Sequence, residues 1–331
     1  MAAAPGRELR IAVVGATGAV GEQIVELIDA RALPCSELVL FASERGATQT
    51  VEALGEALSV AEFHEPSELS RFDIALLAVA PSRAAEIVRA HPGPLLVDLS
   101  AARRAPGEIP SIELIAPSFT PSERVAALAA RGQTVGIPHP AAHALAMIVS
   151  AAGAQTPIVC ATVMLGASDA GRASVEEVAR EARELLSGTH NPEEDEVRRA
   201  LNAYPAQPGF AAALCAQTAA LLGGGGPRLV VEAVHVGVLH GSAMTVLIPD
   251  LANPEKLAER LRAAPGLLLV EAKEGGAGVV DAIGQEAILV TPELERAGAS
   301  VWCAFDSARL AALDAVWIAE KFSAVAAPGA A

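Results

Sequence analysis

Along the first 136 residues, short apolar runs alternate with stretches whose apolar positions recur every three or four residues. "LRIAVVGATGAVGEQIVELIDAR" (9–31) reads as a buried strand, a glycine turn and an amphipathic helix. "ELVLFAS" (37–43), "FDIALLAVAP" (72–81) and "GPLLVDLSAA" (93–102) are further apolar strands, and "SRAAEIVRAH" (82–91) has helical spacing. Strands alternating with helices predict a parallel sheet with right-handed crossovers. Beyond Gly136 the texture changes. "TPIVCATVMLGA" and "RLVVEAVHVGVLHGSAMTVLIPD" are long β-like runs. "SVEEVAREARELLSG", "GFAAALCAQTAALLGGG" and "PEKLAERLRAAP" are helical, and "GLLLVEA", "AILVTPEL" and "SVWCAFD" are strands. This order predicts a second domain with a mixed sheet. A last helix, "RLAALDAVWIAEKF", is placed to pack back on the first domain.

Composition narrows the class. The 331 residues are 52% hydrophobic and 19% charged, which marks a globular chain. Polar residues or glycines interrupt each apolar run well short of the roughly 18–20 residues that span a bilayer. The start, "MAAAPGRELRIAVVG", has no signal h-region, which predicts a cytoplasmic protein with no membrane partner. A net charge of −15 argues against a nucleic-acid partner. The four cysteines, Cys35, Cys160, Cys215 and Cys303, form no C-x-x-C pair, so free thiols are expected. Cys160, inside "PIVCATV", is expected to face a core.

The glycine turn is the first chemical candidate. Gly15, Thr17, Gly18, Ala19, Val20 and Gly21 lie in a G-x-x-G-x-x-G spacing between a strand and a helix, the context of a dinucleotide fingerprint. One glycine permits the tight turn, one lets backbone approach a pyrophosphate, and one lets helix pack on strand. The bland alternative is a glycine-rich crossover without a ligand. In "LFASERGA", Ser43 and Arg45 suit a 2′-phosphate, which favours NADP(H); Glu44 leaves NAD open. The second candidate is "GIPHPAAHALAMIV", which sets His139 and His143 four residues apart after a Pro-x-Pro turn.

These segments, with "DIALLAVAPS", "VDLSAARR", "LNAYP", "VHVGVLHGS" and "LAALDAVWIAE", occur in the order seen in the aspartate-semialdehyde dehydrogenase family, which the chain resembles over nearly its whole length. The resemblance implies a Rossmann-like NADP-binding domain (1–137 and 309–331) and an α+β dimerisation and substrate domain with a mixed sheet (138–308). It implies a homodimer, and a surface that permits a heterodimer with an active relative. It also implies an amino-acid biosynthetic enzyme that reduces an acyl phosphate to an aldehyde through a cysteine thioester. Ser82 matches the loop near the nicotinamide. Arg104 matches the phosphate-binding arginine, and Asp98 and Ser100 also match, with Leu99 in place of an asparagine.

The catalytic positions do not match. The family's nucleophile segment, like N-P-N-C-S-T, reads His139-Pro140-Ala141-Ala142-His143-Ala144, so the cysteine is Ala142. The family's glutamine falls at Met164, its substrate-carboxylate arginine on His235 and its general-base histidine on Ser242. His139 and His143, with Arg104, are left as the candidates facing substrate or phosphate. Three readings follow. A pseudoenzyme keeps the scaffold and the nucleotide in a regulatory or scaffold role. An active oxidoreductase uses His139, His143, His235 or His240 as acid and base. A metal site joins His139 and His143 with His235, although no carboxylate obviously completes it and the leading expectation is no metal.

Overall fold

The computed structural model describes residues 7–90, 92–100, 112–129, 131–153, 156–189, 198–271, 276–295 and 298–325. The chain divides into two compact units, residues 1–138 with 311–331, and residues 139–310.

The first unit holds β1 (Leu9–Val14), α1 (Ala19–Ala30), β2 (Cys35–Ala42), β3 (Thr50–Ala53), β4 (Glu56–Glu62), β5 (Ile74–Leu77), α2 (Pro81–Ala90), β6 (Leu95–Asp98), β7 (Glu113–Leu114), α3 (Ser122–Ala129) and β8 (Thr134–Gly136). Its sheet has the order β3-β4-β2-β1-β5-β6-β8-β7 and is parallel except for the β3–β4 hairpin. β1 is fully apolar apart from Arg10 because it lies between β2 and β5 with both faces covered. On one face Phe41 meets Phe63 and Phe72 edge-on at 5.5 and 6.1 Å, above Leu69, Leu77 and Ile87. Ile24, Leu27 and Ile28 of α1 are fully buried. The winding reverses at β1, so the crevice for a ligand lies at the carboxyl ends of β1 and β5.

The second unit holds α4 (Pro140–Ala152), β9 (Ile158–Leu165), α5 (Arg172–Ser187), β10 (Ala203–Pro205), α6 (Phe210–Leu221), β11 (Arg228–Val236), β12 (Ser242–Pro249), α7 (Leu257–Ala263), β13 (Leu267–Leu269), α8 (Val279–Ala282), β14 (Ile288–Glu295) and β15 (Gly298–Phe305). The mixed sheet has the order β10-β11-β9-β12-β15-β14-β13. α4, α6 and α7 pack together, with α6 on β11 and α7 on β13. The other face is partly open. Val230, Cys160 and Leu247 form one cross-strand row on it, and Glu232, Thr162, Thr245 and Trp302 the next. The last helix, α9 (Ser307–Val325), starts in this unit and joins the first from Ala311. There it ties to the chain start, where Arg7 N–H donates to Ser323 O at 3.0 Å, and to Arg31 through Glu320 at 3.1 Å.

The α/β class, the parallel Rossmann-like sheet and the mixed second sheet are as the periodicity predicts. Four details differ. The β3–β4 hairpin was not anticipated; Leu54 and Gly55 make its turn with φ of 54° and 76°. The run 228–250 is two strands interrupted at 237–241. Cys160 is half-buried on the open sheet face instead of in the core, because β9 alternates and its buried face belongs to Val159, Ala161 and Val163. Ser82 sits in the first turn of α2, since the helix starts at Pro81. Among the described residues, no helix is long and apolar enough to cross a membrane.

Candidate functional site

The three glycines of the turn are not equivalent. Gly15 has φ of +90°, and a Cβ there would stand 2.3 Å from Ala78 O. A Cβ on Gly21 would stand 2.1 Å from Gly15 O. Both are demanded by the fold: one by the sharp exit from β1 against β5, the other by the helix lying on its own turn. Gly18 is different. Its φ is −82°, and its nearest neighbour to a Cβ is Gly15 O at 3.3 Å. A small side chain there needs Gly15 O to give by only a few tenths of an ångström, so the fold demands glycine far less at Gly18 than at Gly15 or Gly21.

Gly18 is also the N-cap of α1, and no side chain caps the helix. Thr17, Gly18, Ala19 and Val20 are partly exposed at that end. Uncapped N–H groups and the positive end of the dipole suit a phosphate. Gly15 and Ala16 N–H both donate to Phe41 O, at 2.8 and 2.9 Å, and this holds the turn against the end of β2. Ser43 and Arg45 follow in an exposed turn closed by Gly46 N–H to Ser43 O at 2.8 Å. The Arg45 guanidinium makes no ion pair or side-chain hydrogen bond among the described residues. These residues fit a dinucleotide: a bare backbone for the pyrophosphate, a helix start, and a cation at the second strand. Ser82 is exposed in the first turn of α2. At the end of β6, Asp98 is fully buried and accepts Ser100 N–H and Oγ–H at 2.9 and 2.7 Å. Arg104 lies outside the described residues.

The start of α4 is built in the opposite way. His139 is its N-cap, and its Nδ1 accepts Ala141 N–H at 3.2 Å. The ring proton therefore sits on Nε2, which donates to Asp169 Oδ2 at 3.3 Å, both groups being buried. Gln217 Oε1 on α6 accepts His139 N–H at 2.8 Å, and Phe210 meets the imidazole edge-on at 5.1 Å. Thr218 Oγ1 donates to Ala142 O at 3.3 Å. Ala142 is 0% exposed and His143 is 4% exposed. The start of α4 is thus capped, braced and covered.

Asp169, Gln217, Phe210 and Thr218 were not picked out from the sequence. The one local signal was the lone acid in "GASDAG".

The remaining positions scatter. Met164 is half-buried on β9 and carries no acid–base group. Ser242 is buried and hydrogen-bonded to Ser307 Oγ at 3.0 Å and Gly166 N–H at 3.4 Å. His240 is exposed in the β11–β12 connection. His235 on β11 stacks on Tyr204 at 5.1 Å and lines a cavity of about 440 Å³ with Ser174, Glu177, Arg199 and Gln207. Burial lowers its pKa from the ordinary 6.5, Asp169 opposes this and Arg199 assists, so the ring is neutral at neutral pH. Among the described residues, no three His, Cys, Asp or Glu side chains form a metal-binding group. Both His139 nitrogens are already engaged.

Three of the thiols are deactivated by burial. Burial pushes Cys303 up to about 12 and raises Cys35 and Cys215. Cys215 lies on α6 but points to Leu229 O at 3.8 Å.

Residues 10–127 match the family described as semialdehyde dehydrogenase, NAD binding domain. The whole chain is similar to an aspartate-semialdehyde dehydrogenase of Synechocystis, 30% identical with 94% of this chain and 96% of that protein covered. It is equally similar to a USG-1 protein homolog of Pseudomonas aeruginosa, at 30% identity over 94% of this chain and 97% of that one. In structure it resembles a probable aspartate-semialdehyde dehydrogenase from Pseudomonas aeruginosa, with TM-score 0.80 and 28% identity over 95% of this chain and 98% of that chain.

Proposed function

Because the chain belongs to the aspartate-semialdehyde dehydrogenase family, with an NAD(P)-binding domain at 10–127, we propose that it binds NADP(H) but has lost the dehydrogenase reaction. The observation that carries this reading is the start of α4. Ala142 takes the place of the nucleophile, and the turn around it is filled by His139, Asp169, Gln217 and Phe210. Loss of a covalent nucleophile costs about 10⁴–10⁶ in rate, and burial holds the Cys35, Cys215 and Cys303 thiols in their protonated, unreactive form. The preference for NADP rests on Ser43 and Arg45 standing where an NAD enzyme carries an acid that binds the ribose. A regulatory or scaffold role follows, in a cytoplasmic protein of amino-acid metabolism.

The open face of the second sheet supports a homodimer, or a heterodimer with an active relative. Val230 and Leu247 are exposed on it by 39% and 42%, and solvent is a poor partner for that row. The second reading is an oxidoreductase with a different base. It is favoured by one observation, the neutral His235 imidazole in the 440 Å³ cavity.

Two measurements decide. Titration with NADPH, followed by nicotinamide fluorescence, is expected to show saturable binding; none at millimolar nucleotide removes the cofactor half. Assay with aspartate semialdehyde, phosphate and NADP is expected to show no turnover, in the native chain and in Ala142→Cys alike. Turnover by the native chain at an ordinary dehydrogenase rate overturns the loss of chemistry. Turnover abolished by His235→Gln establishes the second reading.

A further inference from the structure

Gly46 is buried and closes the otherwise exposed turn 43–46. Its backbone does not require glycine, because its φ lies outside the left-handed region. Space requires it. A Cβ there would stand 2.6 Å from Thr17 Oγ1, 2.7 Å from Ala42 Cβ and 3.2 Å from Thr17 Cγ2. Thr17 is β-branched and stiff at χ1, and the Ala42 methyl has nowhere to rotate. The glycine turn after β1 therefore rests, through Thr17, directly on the backbone of the turn after β2. Gly46 N–H and Ala47 N–H both return to Ser43 O, at 2.8 and 3.1 Å, so a push on Gly46 is passed to Ser43 and Arg45 as a unit.

We propose that the Thr17–Gly46 contact is a positioning device that sets discrimination between 2′-phosphorylated and unphosphorylated dinucleotides. It rests on the reading that the first unit binds NADP(H), and it assigns specificity to residues that need not touch the phosphate. The magnitudes favour it. Clearing a Cβ from Thr17 requires a shift of about 1 Å, whereas a charge-assisted hydrogen bond to phosphate is held within a few tenths of an ångström around roughly 2.8 Å. The pyrophosphate contacts of the glycine turn serve NADPH and NADH alike, so displacement of the second turn is felt by the 2′-phosphate alone.

The experiment compares dissociation constants for NADPH and NADH, by nicotinamide fluorescence, in the native chain and in three variants. Gly46→Ala is expected to weaken NADPH about tenfold, the loss of one charged contact, and NADH by less than about twofold. Thr17→Ala removes the brace without crowding the turn and is expected to shift the ratio in the same direction by about threefold. Thr17→Val keeps the branched shape and is expected to shift the ratio less than Thr17→Ala does. Equal weakening of both nucleotides by Gly46→Ala and Thr17→Ala overturns the proposal, as does an unchanged ratio in both. A ratio shift in Thr17→Val as large as in Thr17→Ala overturns it too, since the hydroxyl would then be contacting the nucleotide itself. Binding of neither nucleotide by the native chain removes the cofactor reading, and the proposal with it. Retained NADH binding reports that each variant is folded.

Discussion

Two helices in this chain carry the proposed sites at their starts, and they are finished in opposite ways. α1 begins at Gly18 with no side-chain cap and with partly exposed residues. α4 begins at His139 with its cap made, its imidazole paired to Asp169 and its first turn covered. A helix start has unsatisfied N–H groups that something must bind. Where the protein supplies that partner, the site is closed to an outside anion or a developing oxyanion. Where it does not, the site is still open to a phosphate. On the proposed reading, the inward-facing His139–Asp169 pair, the Gln217 contact and the Phe210 ring make the start of α4 a structural joint.

The largest effect should come from the glycines that serve the fold. Gly15→Ala and Gly21→Ala each drive a Cβ to within 2.3 Å and 2.1 Å of a backbone oxygen, respectively. Each is expected to cost about 3 kcal/mol or more in urea unfolding. Gly18→Ala should separate from them sharply: stability within about 1 kcal/mol of native, but NADPH affinity lower by tenfold or more. If Gly18→Ala binds NADPH as the native chain does, the open helix start is not a phosphate site and the contrast with α4 fails.

His139→Ala comes next in stability. It removes the α4 cap, worth about 1 kcal/mol, and one hydrogen bond to a buried carboxylate, worth about 2 kcal/mol. A loss near 3 kcal/mol is expected, with NADPH affinity unchanged. His139→Asn should recover the cap portion alone. A variant that unfolds no earlier than native would mean the His139–Asp169 pair is not a joint, and the site deserves a catalytic reading after all.

Much of this was legible in the sequence, and the remainder has a common cause. The strands, the glycine turn and the order of the two sheets follow from periodicity that lies within ten or twelve residues. The alanine at position 142 was visible as an absence. What filled that absence was not, because Asp169 and Gln217 reach His139 from 30 and 78 residues away. A lone acid in "GASDAG" and a glutamine inside an apolar helix carry no local mark of a shared destination. Cys160 misled for a related reason: an apolar run suggests burial on both sides, while the sheet leaves one face of β9 open.

The smallest effect concerns pH and separates the two units directly. In the second unit, burial lowers the His235 pKa below its unfolded value of 6.5, so the folded protein prefers the neutral ring. The stability this neutral ring contributes is complete above that value. It is lost as pH falls from 6.5 toward the lower folded value, because the unfolded chain then takes up the proton first. In the first unit, burial acts to raise the Asp73 pKa, but hydrogen bonds from Arg10 and the charges of Arg10 and Arg7 outweigh it and hold it below 3.8. That contribution is complete above 3.8 and fades only in stronger acid. The two tryptophans fall one in each unit, Trp302 in the second and Trp317 in the first, so single-tryptophan proteins made with Trp317→Phe and Trp302→Phe report each separately. Between about pH 7 and pH 5, the urea midpoint seen by Trp302 should fall while that seen by Trp317 holds. His235→Gln should flatten the Trp302 profile. Parallel profiles in both proteins would mean that the units unfold as one, and that the difference between the open and the closed helix start does not extend to their stability.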